Sequence, residues 1–154
     1  MFKSIRQGRI YRIPTFELAL IREGSLKADR KVIRGPKDAF EIARLELENS
    51  PNEKFLLILL TTKNAVTGIS IVTTGTLNSS LVHPRQVFQT AILSNAANLI
   101  CVHNHPSGDY TPSREDIEIT QQLVEAGKLL QIPILDHIII GDGRYISLKE
   151  RGLL

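Results

Sequence analysis

Hydrophobic and polar positions follow two periods along this chain. From Lys37 to Asn49 the apolar residues Ala39, Phe40, Ala43 and Leu47 recur at helical spacing on one face, and Ser50-Pro51-Asn52 closes the element. Phe55 to Leu60 is short and continuously apolar, as in a strand covered on both faces. Lys63-Asn64 then turns into a second strand, Val66 to Thr73, and the pair reads as a hairpin at the centre of a sheet. Gly75 to Pro84 reads as a loop. Arg85 to Asn98 returns to helical spacing, with Val87, Phe88, Ala91, Ile92 and Ala96 on one face, and feeds a strand from Leu99 to His103. A third helix, Arg114 to Gln131, carries the stripe Ile119, Leu123, Ala126 and Leu130. Ile132 to Ile140 and Tyr145 to Leu148, joined at Gly141-Asp142-Gly143, form a closing hairpin. Ahead of all these, residues 1–14 read as a loosely attached arm and Thr15 to Arg22 as a short strand. Helices alternating with hairpins predict an α/β (α+β) fold, a mixed sheet flanked by helices, without internal repeats.

A chain of 154 residues with 42% hydrophobic content can bury one sizeable core and gives no reason to expect two. The apolar runs are far shorter than the roughly 20 residues that cross a bilayer, and the polar N-terminus lacks a signal-peptide core. A soluble, cytoplasmic protein with no membrane partner is expected. A lone cysteine permits no intramolecular disulfide and removes every zinc site built on several thiolates. Any metal must be held by histidine and carboxylate, which points to zinc or a similar borderline ion in an open site.

The net charge of +3 hides an asymmetry. Residues 1–37 carry ten Lys/Arg against three Asp/Glu, or +7, and residues 38–154 carry nine against thirteen, or −4. Such a leading segment suits nucleic acid or another acidic partner, and equally a solvated arm whose cations discourage aggregation.

The chemistry concentrates between His103 and Asp116. Side chains alternate along a strand, so Cys101, His103 and His105 share one face while Ile100, Val102 and Asn104 share the other. Two imidazoles then converge. Pro106 to Pro112 reverses the chain, and Asp116, in the first turn of the next helix, returns a carboxylate to the same point. Two nitrogens and one oxygen leave a fourth tetrahedral position for water, the arrangement of catalytic zinc. Ser113 can supply a hydroxyl donor beside the metal. A base is wanted outside the ligand set at the end of a core element, and Glu53, just before the Phe55 strand, meets that requirement. Blander readings stand beside these. His-x-His also occurs near strand ends for packing, and Ser113 followed by Asp116 is how an ordinary helix begins.

The spacing His103-x-His105, seven residues, Ser113, two residues, Asp116, with a glutamate upstream, resembles the JAMM motif of the JAB/MPN metalloprotein superfamily. Within it, His-Asn-His-Pro-Ser-Gly at 103–108, Pro84-Arg85, Leu135-Asp136-His137 and the ending Ser147 to Leu154 look like RadC. The resemblance covers roughly residues 32–154 and divides the chain into a basic arm and edge strand, 1–31, and a JAB/MPN-like domain, 32–154, of the layered kind that cytidine deaminases share. It implies that His103, His105 and Asp116 ligate zinc, that Ser113 stabilises a tetrahedral intermediate, and that Glu53 is the base. The implied activity is a zinc-dependent hydrolase cleaving a peptide or isopeptide bond in a protein or peptide substrate.

Two departures bear on that expectation. Where full-length RadC proteins carry a helix-hairpin-helix-like DNA-binding region, only the basic segment stands here. Asn104 replaces the Ser or Thr of deubiquitinating members, which argues against ubiquitin-type substrates. The competing expectation is a nucleic-acid-associated protein of DNA repair or mobile elements with a structural or vestigial metal site, binding through Arg6, Arg9, Arg12, Lys31 and Arg34. A zinc deaminase is disfavoured because its paired Cys-x-x-Cys ligands are missing.

Other residues invite over-reading. Cys101 shares the histidine face, but a fourth protein ligand would close the site to water, and a buried cysteine more simply packs. His137, beside Asp136, is open to two readings: a partner that orients a ligand, or a packing histidine. His83 reads as a loop residue, and Glu46 and Glu48 as exposed helix positions. Ser107-Gly108 makes the tight turn after Pro106.

Overall fold

The computed structural model describes residues 10–75 and 82–154. Among these residues three helices, α1 (Pro36–Leu47), α2 (Pro84–Leu93) and α3 (Arg114–Leu130), accompany five strands: β1 (Lys54–Leu60), β2 (Val66–Thr74), β3 (Asn98–Asn104), β4 (Ile134–Gly141) and β5 (Arg144–Ser147). The strands form one mixed sheet in the order β2-β1-β3-β4-β5. Only β3 and β4 run parallel, and α3 makes the long crossover that parallel pairing demands. The hairpin β1–β2 therefore supplies an inner strand and an edge, and the centre of the sheet falls to β3.

Each face of the sheet has its own core. Leu56, Ile58 and Leu60 of β1, with Ile100, Val102, Ile138 and Ile140, pack against the α1 residues Ala39, Phe40, Ala43 and Leu47. The alternate residues Phe55, Leu57, Leu59, Leu99 and Cys101 pack against Val87, Phe88 and Ala91 of α2 and Ile119 and Leu123 of α3. The unbroken apolar run of β1 is thus explained by cover on both sides. This three-layer arrangement is the expected α+β architecture.

Boundaries moved where the backbone turns left-handed. Helix α2 ends at Leu93, five residues short of the expected Asn98, because Asn95 adopts φ 55°. Ile92 consequently stands 57% exposed, whereas Ala96 is buried from outside the helix. At the end of α3, Gln131 adopts φ 58° and Leu130 lies 45% exposed, its expected place in the stripe taken by Thr120 and Gly127. The strand expected at Thr15–Arg22 joins no ladder; that segment has no regular secondary structure and is exposed, and among the described residues strand-type pairing begins at the bridge between Val32 and Ala65. No helix among the described residues is long and apolar enough to cross a membrane. Most of the expected loop from Gly75 to Pro84 lies outside the described residues.

Candidate metal centre

The site forms at the C-terminal end of β3, where the strand leaves the sheet. His103 is still in the ladder, paired with Phe55 of β1 and Ile139 of β4, and is fully buried. His105 lies one step beyond, tied back by its N–H to the Ile140 carbonyl at 2.8 Å. The following turn packs directly on the end of β4: a Cβ on Gly141 would lie 2.5 Å from the Gly108 carbonyl oxygen and 2.9 Å from the Tyr110 nitrogen. Only glycine permits that approach.

Helix α3 delivers the third group. Ser113 caps it, its hydroxyl accepting from the Asp116 N–H at 3.1 Å while its own N–H donates to Asp116 Oδ2 at 2.7 Å. This reciprocal capping box aims the carboxylate at the histidines. His103 Nε2 lies 3.1 Å from Asp116 Oδ1, His105 Nε2 lies 3.4 Å from Asp116 Oδ2, and the two Nε2 atoms are 2.9 Å apart. One ligand atom from each of the three residues falls within 4.8 Å of the others.

These distances fit a small cation. Donors bound tetrahedrally at about 2.0–2.1 Å, as for zinc–nitrogen bonds, lie about 3.3 Å from one another. The donor chemistry fits as well. His105 Nδ1 is 2.6 Å from the Asp109 carbonyl oxygen, which can only accept, so Nδ1 carries a proton and, whenever the ring is neutral, Nε2 presents a lone pair to its neighbours. A lone pair and a carboxylate converging in a buried corner call for positive charge.

The electrostatics agree. Burial pulls His103 below the usual histidine range, with the Asp116 carboxylate opposing. His105 is raised, chiefly by its hydrogen bond to Asp116, against a smaller effect of burial. Asp116 is pushed up by burial, but its close contacts with the His103 and His105 rings win and hold it well below the usual carboxylate range. Glu53 adds a weaker pull on both imidazoles.

In front of the triad opens a cavity of about 340 Å³ whose walls include Glu53, His105, Thr111, Ser113 and Asp116. All five residues singled out in the sequence thus meet here: His103, His105 and Asp116 at the back, Glu53 and Ser113 on the wall.

Three supports surround the site: sequence reasoning missed Thr120 and the bonds made by Asn104, and left the role of His137 open. Asn104 faces away from the triad, yet its Oδ1 accepts from the Lys54 N–H at 2.8 Å and its Nδ2 donates to the Asn52 carbonyl at 3.1 Å. His137, left open between orienting and packing, lies with Nε2 2.8 Å from His103 Nδ1. Thr120 Oγ1 lies 2.5 Å from His137 Nδ1 and donates to the Asp116 carbonyl, also at 2.5 Å. The signal for Thr120 was a polar residue one helical turn past Asp116 on the inward face.

The remaining candidates fall elsewhere. Cys101 is buried beneath the site, burial together with Asp136 pushing its thiol far up, and it takes no part in the ligand cluster. Asp136 serves the backbone rather than the His137 ring, accepting from the His137 N–H at 2.7 Å, the Ser147 hydroxyl at 2.6 Å and the Lys149 N–H at 3.1 Å. His83 caps α2 by accepting from the Arg85 N–H. Glu46 pairs with Lys54 and Glu48 with Arg44. Arg12, Lys31 and Arg34 are exposed, and Arg6 and Arg9 lie outside the described residues.

A family described as RadC-like JAB domain matches residues 33–153. The chain is 50% identical over 139 residues to a UPF0758 protein of Methanosarcina mazei, covering 90% of this chain and 61% of that one. It is 55% identical over 126 residues to a UPF0758 protein of Bacillus licheniformis, covering 82% and 56%. A third, from Moorella thermoacetica, is 53% identical over 133 residues, covering 86% and 58%. The chain thus spans about three-fifths of the length of these curated relatives.

Proposed function

Because the chain belongs to the RadC-like JAB domain family, we propose that it is a JAMM-type metallohydrolase that cleaves an amide, in a peptide or an isopeptide bond, with zinc held by His103, His105 and Asp116. The observation that carries this reading is the convergence of two imidazole nitrogens and a carboxylate, 2.9 to 3.4 Å apart, at the back of an open cavity with a separate carboxylate on its wall. Zinc held there would supply a Lewis acid and make water acidic enough to attack near neutral pH.

The chain's own residues do the rest. Glu53 accepts a proton from the attacking water and passes it to the leaving amine. Ser113 uses its hydroxyl oxygen to accept from the Asp116 N–H, which leaves its O–H to donate to the developing oxyanion of the substrate. The Ser113 N–H holds Asp116 Oδ2 in place meanwhile.

The test has two stages. Elemental analysis of protein purified without chelators is expected to give one zinc per chain in the wild type and none in His103→Ala. Peptide and isopeptide libraries are then expected to yield cleavage that Glu53→Gln reduces by about 10² to 10⁴-fold while retaining zinc. Wild-type protein free of stoichiometric metal, or cleavage indifferent to Glu53→Gln, overturns the reading.

A further inference from the structure

Behind the ligand triad, three buried side chains stand in line: His103 and His137 are 0% exposed and Thr120 is 1% exposed. The Phe55 ring seals them, stacked at 6.2 Å on His103 and edge-on at 5.3 Å to His137. With water excluded, each contact in the line must be satisfied from within.

The direction of donation follows from the far end. The Asp116 carbonyl can only accept, and Thr120 Oγ1 sits 2.5 Å from it, so the single hydroxyl proton lies between those oxygens. Thr120 Oγ1 is then an acceptor toward His137 Nδ1, also 2.5 Å away, which puts a proton on His137 Nδ1. A neutral His137 so protonated has a bare Nε2, and the 2.8 Å contact to His103 Nδ1 requires the proton on His103. His103 Nε2 is left bare, facing Asp116 Oδ1 at 3.1 Å. Reversing every donor would leave the Thr120 and Asp116 oxygens 2.5 Å apart with no proton between them.

We propose that His137 and Thr120 are positioning residues that lock His103 in its Nδ1–H form, presenting Nε2 as a ready donor before any metal arrives. The line starts at the backbone of Asp116 and ends on the ring facing the Asp116 side chain, so the first turn of α3 and the orientation of His103 are set together. Two of the three ligands are thereby fixed by one hydrogen-bond circuit. This deepens the metal-site reading and rests on it only for the affinity measurement below.

The tautomer is read in metal-free protein with ring-¹⁵N histidine by long-range ¹H–¹⁵N correlation above pH 7.5. His103 is expected to show a protonated Nδ1 and an unprotonated Nε2, Thr120→Val to populate the opposite form, and Thr120→Ser to restore the original. Zinc affinity, measured by competition with a chromogenic chelator, is expected to fall about 10 to 100-fold in Thr120→Val and to recover in Thr120→Ser. Thr120→Val is close to isosteric, and circular dichroism of each variant identifies any that fails to fold; for such a variant the wild-type spectrum decides. A protonated His103 Nε2 in the wild type, or an unchanged tautomer and affinity in folded Thr120→Val, overturns the proposal. Failure of the wild type to bind zinc, with the Nδ1–H form intact, instead overturns the metal reading and leaves the relay standing.

Discussion

Asn104 grips the chain on both sides of Glu53, accepting from the residue after it and donating to the carbonyl of the residue before it. The Glu53 carbonyl is itself tied to the Gly75 N–H at 2.8 Å. A carboxylate at the end of a strand would otherwise swing with its loop. Replacing Asn104 by Leu removes both bonds while leaving the triad on the opposite face of β3 untouched. Stability should fall by about 1–3 kcal/mol for the stranded backbone groups. If Glu53 serves as the proposed base, its displacement should cost about 100-fold in kcat. Zinc content by elemental analysis should stay at the wild-type level; parallel loss of zinc would show that Asn104 serves the ligands instead.

Gly141 sets how closely the His105 turn lies on β4. A methyl group there meets backbone atoms of Gly108 and Tyr110 that have no room to yield. Gly141→Ala should therefore cost about 1–3 kcal/mol in urea denaturation and weaken zinc binding through displacement of His105. Gly24→Ala, where nothing lies within 4 Å of the added carbon, should stay within about 0.5 kcal/mol of wild type.

Asp136 gives a pH dependence of defined sign. Burial raises its carboxyl, and the Ser147 hydroxyl and the Lys149 and His137 N–H groups pull back only in part. The folded state thus holds this proton more tightly than the unfolded chain, so the contribution is most favourable below about pH 3.9 and is lost as pH rises through the folded pKa. Urea midpoints of wild type and Asp136→Asn, followed from pH 3.5 to 8, should show the wild type losing stability relative to the variant across that window and a constant difference above it. A difference independent of pH would contradict the raised carboxyl.

Zinc should act as a ligand of the folded state alone. At a free concentration one hundred times Kd it should add about 2.7 kcal/mol to the unfolding free energy, read by calorimetry before and after chelation. His105→Ala should abolish this shift, and Cys101→Ala should leave it unchanged because the thiol lies outside the ligand cluster. A shift that survives His105→Ala would move the metal to another site.

What could be read from the sequence was what depends on local period. His103, His105 and Asp116 were legible because a strand alternates and a helix returns its first turn. Both cores were legible because the β1 run is apolar throughout. His137 and Thr120 were obscure for the opposite reason. Their roles arise from the parallel register that sets Cys101 opposite His137, bringing His137 beside His103 on one face, and no local spacing encodes that pairing. The end of α2 was misread because Asn95, a non-glycine residue, turns left-handed without a strong sequence signature, whereas α3 ends within one residue of its expected Gln131. Asn104 was read correctly as facing away, but its partners lie across the antiparallel β1–β3 pair, beyond the reach of periodicity.

The β1–β3 pairing also divides the site by folding distance. Asp116 follows His103 by 13 positions, whereas Glu53 precedes it by 50. Closing the longer loop costs about 1 kcal/mol more chain entropy than closing the shorter one. His103, His105 and Asp116 therefore lie within one strand–turn–helix segment, whereas Glu53 joins them only through the pairing of two sequence-distant strands. The topology thus splits the site into a part that is near in sequence and a part that only the β1–β3 pairing brings to it.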